Sequence, residues 1–129
     1  MIFSNLKSFD DALPAGRLLG LDLGAKTVGL ALSDHGRVVA TPMETLRRTK
    51  FTKDTKQLRI ICREYEIVGL VLGLPLNMNG SEGPRAQSTR AFATNVAKPV
   101  PLPLLLWDER LSTQAVTRTL LDADLSRRR

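Results

Sequence analysis

Ile67-Val68-Gly69-Leu70-Val71-Leu72-Gly73-Leu74 is the stretch that decides the fold. An almost continuous apolar run with two glycines is how a central parallel strand covered on both faces reads. Just before it the period turns helical, with Leu58, Ile61, Cys62 and Tyr65 at i, i+3, i+4 and i+7, which predicts a helix over 52–66. Just after it comes a turn-rich loop, 75–83, carrying Asn77, Asn79-Gly80 and Gly83. A second helix is expected over 84–97, with Thr89, Phe92, Ala93 and Val96 on one face and Pro84 in its first turn. Residues 100–107 read as another apolar strand, expected near an edge because Pro101 and Pro103 cannot donate ladder bonds. Ser112 then suits the N-cap of a third helix over 113–121. Toward the N-terminus, 18–23 and 28–33 are short apolar runs, Asp34-His35-Gly36 signals a hairpin, and 37–41 reads as a third strand. Residues 1–16 lack periodicity and carry Pro14 and Gly16, so a flexible lead-in is expected before a single domain over 17–129. The order β-β-β-α-β-α-β-α predicts an α/β domain. Its mixed five-stranded sheet joins a three-strand antiparallel meander to parallel strands, with helices on the faces.

Composition sets the class. The chain has 129 residues, 43% hydrophobic and 25% charged, which excludes a disordered tail, a collagen-like repeat and a coiled coil. A single cysteine forms no internal disulfide. No apolar run approaches the ~20 residues that span a bilayer, and the first sixteen residues have no apolar core of a signal peptide. A cytoplasmic protein with no membrane partner is the expectation. The net charge is +6. Arg47, Arg48, Lys50, Lys53, Lys56, Arg59 and Arg63 form one basic cluster, and Arg127, Arg128 and Arg129 a second. Phosphate polyanions are the natural partners of such fields, although a solvated helix face reads the same way.

Chemistry concentrates at two places. In Leu18-Leu19-Gly20-Leu21-Asp22-Leu23-Gly24, alternation puts Leu19, Leu21 and Leu23 on one side and Gly20, Asp22 and Gly24 on the other. A carboxylate in an apolar strand is costly unless it is paired or binds a cation, and glycine neighbours leave room for a ligand. Asp108-Glu109-Arg110 directly follows the last apolar strand, at the kind of carboxyl end where ligands gather in open α/β sheets. Asp22 and Glu109 are therefore expected to converge. Oxygen-only ligands select Mg²⁺ or Mn²⁺, and two such ions roughly 4 Å apart support phosphodiester hydrolysis. The loop from Gly73 to Arg85 is a candidate phosphate cradle with Arg85 as a donor fork, but no Gly-Lys-Ser/Thr makes it a P-loop; a plain surface turn fits the pattern equally. Cys62 and Trp107 read as packing residues, His35 as a turn residue. One His and one Cys build no catalytic triad.

GLDLGAKTVGLALSD, VLGLPLNMNGSEGPRA and WDERLSTQAV, in that order, resemble the signatures of the YqgF family over about residues 17–125. These are RNase H-like proteins described as Holliday junction resolvases and pre-16S rRNA processing nucleases. The resemblance implies an RNase H-like fold and a metal-dependent nuclease acting in 5′-end processing of pre-16S rRNA or on Holliday junctions. A non-catalytic nucleic-acid-binding module is the alternative. The family's first-strand Asp falls on Asp22 and its Asp-Glu-Arg Glu on Glu109, with Asp108 beside it as a further metal ligand. Lys26, Asn77, Asn79, Arg85 and Arg110 are expected to contact nucleic acid. Family members carry a further helix whose Asp completes the carboxylate set. No residue here matches it, since Asp122 and Asp124 precede the terminal arginines, so the domain is expected to lack that helix. Asp22-Leu23-Gly24 with Lys26-Thr27 is also similar to the phosphate turn of actin-like folds, but those need a second lobe of similar size.

Overall fold

The structure, a computed structural model, describes residues 1–37 and 39–109. Ile67–Leu74 forms strand β5 with the bounds that its apolar run predicts. Parallel partners flank it, β2 (Arg17–Leu23) on one side and β6 (Leu104–Asp108) on the other. Beyond β2 the meander continues antiparallel through β3 (Thr27–Ser33) and β4 (Ala40–Arg47). Beyond β6 lies β1 (Ile2–Phe3), so the sheet has six strands in the order β1-β6-β5-β2-β3-β4. The helices are α1 (Leu6–Asp11), α2 (Phe51–Glu64) and α3 (Pro84–Val96).

Register decides which side chains meet. Leu19 and Leu21 stand beside Leu70 and Leu72 of β5 and beside Leu32 and Leu30 of β3, while Leu104 and Leu106 extend the row into β6. This leucine face is the core. Leu58, Ile61 and Cys62 of α2 and Phe92, Ala93 and Val96 of α3 are buried with it. Burying a large aliphatic side chain of this kind stabilises by about 1.5–3 kcal/mol. The opposite face is covered at the strands' amino ends by α1. Phe9 of α1 is 1% exposed and meets Phe3 edge-on at 5.9 Å, and a Cβ on Gly69 would come within 2.9–3.1 Å of Leu13, Phe9 and Leu18. Toward the strands' carboxyl ends that same face carries Gly20, Asp22, Gly29 and Gly73, almost free of side-chain bulk.

Residues 1–16, where no periodicity predicts an element, contain β1 and α1. Asn5 caps α1 by accepting from the Ser8 amide at 3.0 Å. Arg37 ties the segment down, donating to Asp10 at 2.9 Å, to the Gly16 carbonyl at 3.0 Å and to the Pro14 carbonyl. Those bonds hold Arg37 in the left-handed region, at φ 59°, which a side chain seldom occupies without such support. With β1 beyond it, β6 is second from the edge, in keeping with its expected place near one. Pro101 and Pro103 precede it, and the Leu104 amide donates to Met1 at 3.0 Å. The third meander strand starts at Ala40 rather than at 37 and runs into the basic cluster. It is the edge, where Pro42 is tolerated. The helix expected over 113–121 lies outside the described residues.

Candidate active site

Parallel strands β2, β5 and β6 all finish at one end of the sheet, and α3, the crossover between β5 and β6, begins there because it runs back against them. Ligand sites in α/β sheets collect at such ends. Asp22 is the penultimate residue of β2, exposed on the face opposite the leucines as its alternation predicts. Across the antiparallel pair it faces Gly29, where a Cβ would lie 3.6 Å from its own Cβ. On the β5 side its level is that of Gly73, one step beyond the Leu21–Leu72 pair. The carboxylate thus rises from a floor of glycines.

Glu109 arrives from β6. Its amide donates to the Leu74 carbonyl at 3.1 Å, which extends the β5–β6 ladder by one residue. Its side chain then folds back over Gly73. A Cβ at that position would sit 2.8 Å from both Cγ and Cδ of Glu109, and closer still to Oε1. The two carboxyls hydrogen-bond. Partial burial raises the Glu109 pKa above the ordinary glutamate range, and the hydrogen bond and negative charge of Asp22 push the same way; the Arg85 guanidinium pulls it back.

The other expected residues divide. Arg85 stands in the first turn of α3, behind Pro84, and acts electrostatically on Glu109. Lys26 sits in the β2–β3 turn, which the Gly24 amide closes on the Thr27 carbonyl at 2.8 Å. The side chains of Asn77 and Asn79 turn inward on their own loop. Asn77 Nδ2 donates to Ser81 Oγ at 3.0 Å, and Asn79 Oδ1 accepts from the Ser81 amide at 3.0 Å and its hydroxyl at 2.6 Å. Asp108 is in register with Leu74, so the pleat sets it on the leucine face, opposite Asp22 and Glu109. Arg110 lies outside the described residues. Among the described residues, no group of three His, Cys, Asp or Glu side chains is placed to hold a metal ion.

Sequence reasoning missed two contributors. Gly73 was legible as a glycine in an apolar strand, a signal of close approach, but which side chain approaches depends on register. Arg48 carried no signal beyond charge. Its amide donates to the Lys26 carbonyl at 2.8 Å and its Nη1 to the Gly24 carbonyl at 2.6 Å, which braces the turn beside Asp22.

The family model described as RuvX: Holliday junction resolvase matches residues 16–129. A protein of Cereibacter sphaeroides named "Putative pre-16S rRNA nuclease" is 58% identical across 100% of this chain and 81% of its own length. One of the same name from Paramagnetospirillum magneticum is 61% identical over 88% of this chain and 73% of its own. Among solved structures, T. thermophilus RuvC in complex with a Holliday junction substrate superposes with a TM-score of 0.53 at 10% identity, over 77% of this chain and 68% of that one. Archaeoglobus fulgidus Pelota gives 0.51 at 10% identity, over 94% of this chain and 38% of that one. The structural likenesses establish the RNase H-like fold, and by its sequence the chain belongs to the RuvX family of Holliday junction resolvase-type nucleases, the YqgF family that its three motifs resemble.

Proposed function

We propose that this protein hydrolyses phosphodiester bonds in the 5′-end processing of pre-16S rRNA, as a step of ribosome biogenesis in the cytoplasm. The observation that carries the reading is the contact between the Asp22 and Glu109 carboxyls over a glycine floor at the carboxyl ends of parallel strands. The names of the relatives support the substrate, and the family description keeps a four-way DNA junction as the other nucleic acid to test.

The residues fit a divalent cation. Two adjacent carboxyls present hard oxygen donors to one point, which suits a divalent cation. Asp22 and Glu109 would hold Mg²⁺ or Mn²⁺, and a pair of such ions when bound activates water and stabilises the leaving oxygen. The chain's own part is positioning. Gly73 leaves space for the Glu109 side chain, and Gly29 lets a substrate backbone come close to Asp22. Arg85 at the head of α3 neutralises one phosphate oxygen, and Lys26 reaches the backbone from the β2–β3 turn.

A second reading is a nucleic-acid-binding module that does not cut, which the exposed Lys26 and Arg85 beside the carboxyls would serve equally. One experiment separates the two. Labelled precursor rRNA and a synthetic four-way junction are incubated in Mn²⁺ with and without EDTA, using wild type and Asp22→Asn. The nuclease reading expects EDTA-sensitive cutting of the rRNA that the variant loses by at least about a hundredfold. Binding without cutting supports the module.

A further inference from the structure

The helix layer carries a second basic feature, on the far side of the sheet from the carboxylates. Thr52, Lys53, Thr55, Lys56 and Arg59 of α2 line a groove of about 470 Å³ with Pro99 as its far wall. Lys53, Lys56 and Arg59 are exposed and make no ion pair or hydrogen bond among the described residues. Asp54, the acid on their stretch of helix, is engaged elsewhere, accepting from the Thr49 amide at 3.0 Å and from its hydroxyl at 2.7 Å. Thr55, the buried groove residue, bonds its own helix by donating to the Thr52 carbonyl at 3.1 Å. Lys98 adds a further cation next to Pro99. Among the described residues, nothing acidic lines the groove.

We infer that this groove is an exosite for the sugar-phosphate backbone of a folded RNA, holding a segment separate from the one presented to Asp22 and Glu109. The inference rests on the proposed function for the identity of the nucleic acid, but its charge argument is independent. Residues 53, 56 and 59 climb the helix in two steps of about 4.5 Å each. They span about 9 Å, room for roughly three phosphates at the ~3.4 Å rise per strand of a duplex. The leucine core and the sheet lie between groove and carboxylates, so one short strand does not occupy both. A folded RNA does, by passing over the strands' carboxyl edge. Lys26 and Arg48 stand on that edge, and Lys50 precedes the first residue of α2 beside it. This arrangement favours substrates with structure flanking the cut over bare single strands.

The test compares wild type with Lys53→Gln/Lys56→Gln/Arg59→Gln. Glutamine keeps the helix propensity and removes the charge. Fluorescence anisotropy follows binding of two RNAs across a salt series: a short single strand spanning the cut linkage, and a folded precursor segment that includes it. For the folded RNA, losing three phosphate contacts lowers the slope of log affinity on log salt by about 2–3, a loss of at least roughly a hundredfold at 0.1 M salt. The short strand keeps its slope and its cleavage rate. An unchanged slope for the folded RNA overturns the exosite, and so does an equal loss on both RNAs. A loss seen on a four-way DNA junction and not on RNA overturns the RNA occupant. Because anisotropy reads binding without cleavage, an uncleaved RNA that still shows the slope change removes the nuclease reading and leaves the exosite standing.

Discussion

Gly73→Ala puts the active-site reading to its sharpest test, because it adds one methyl group and no charge. The added Cβ would stand 2.8 Å from Cγ and Cδ of Glu109. Carbon atoms pack comfortably at about 3.5–4.0 Å, so the Glu109 side chain must withdraw by more than half an ångström at its stem and farther at its carboxyl. Glu109 is the flexible, exposed side chain of the residue just past β6, so it yields without disturbing the sheet. In a strand, alanine is preferred to glycine by roughly 0.5–1 kcal/mol, and the new methyl meets no buried backbone. Stability therefore stays within about 1 kcal/mol, or a melting shift of about 4 °C at most. Activity behaves differently. A catalytic group displaced by about 1 Å costs on the order of a hundredfold in rate, which is about 2.7 kcal/mol of barrier. The assay pairs kcat/KM on precursor RNA in Mn²⁺ with a thermal melt of the same preparation. A folded, inactive variant is the expected outcome. Full activity in Gly73→Ala refutes the placement of Glu109 over this glycine, and activity lost only together with the fold refutes the claim that the space serves the site.

Three further outcomes follow from the same geometry. Glu109 binds its proton more tightly in the folded chain than in the unfolded one, so its contribution is fully present below the ordinary glutamate range and fades as pH rises through its raised folded value. Glu109→Gln keeps a hydrogen-bond donor for Asp22 and removes the repulsion, so its melting temperature, followed from pH 4 upward, should overtake that of wild type as pH increases; parallel curves would deny the contact. Arg48→Ala removes the donor that braces Gly24, at a cost of about 1.5–3 kcal/mol in urea unfolding for a bond from a charged group. A change under about 0.5 kcal/mol would mean that the turn holds itself. Leu72→Ala, at a position with no solvent exposure in the leucine face, should cost about 2–5 kcal/mol by the same method. A smaller loss would show that α2 and α3 collapse onto the gap.

What the sequence made legible depended on burial. β5, a nearly continuous apolar run, declared its limits to the residue, and the alternation around Asp22 placed that carboxylate on the right side of the sheet because its neighbours are leucine or glycine. β4 is an edge strand exposed along nearly its whole length, so no alternation marked it and its start was misjudged by three residues. β1 has two residues and α1 six, too short for any period to mark them. Within Asp108-Glu109, adjacent acids are equivalent by type. Only the register Leu74–Asp108 tells which one faces Asp22. Contacts such as Arg48 with Gly24 join residues 24 positions apart and leave no trace in local pattern.

The N-terminal strand has a consequence for catalysis that its size hides. β1 meets the sheet through two residues, yet among the described residues it is the strand that pairs with β6 on that side, and β6 delivers Glu109. Short terminal elements open at low free-energy cost, as local excursions far short of global unfolding. Each such opening unpairs the start of β6 at Leu104 and Leu105, where freed backbone groups can exchange or recruit a strand from another chain. The grip of Arg37 on Asp10, Pro14 and Gly16 thus acts as a latch on active-site order from the opposite end of the sequence. Protection of the Leu104 amide becomes a remote gauge of how long Glu109 stays in place, and loosening the first dozen residues would register as catalytic noise and self-association before it registered as lost fold.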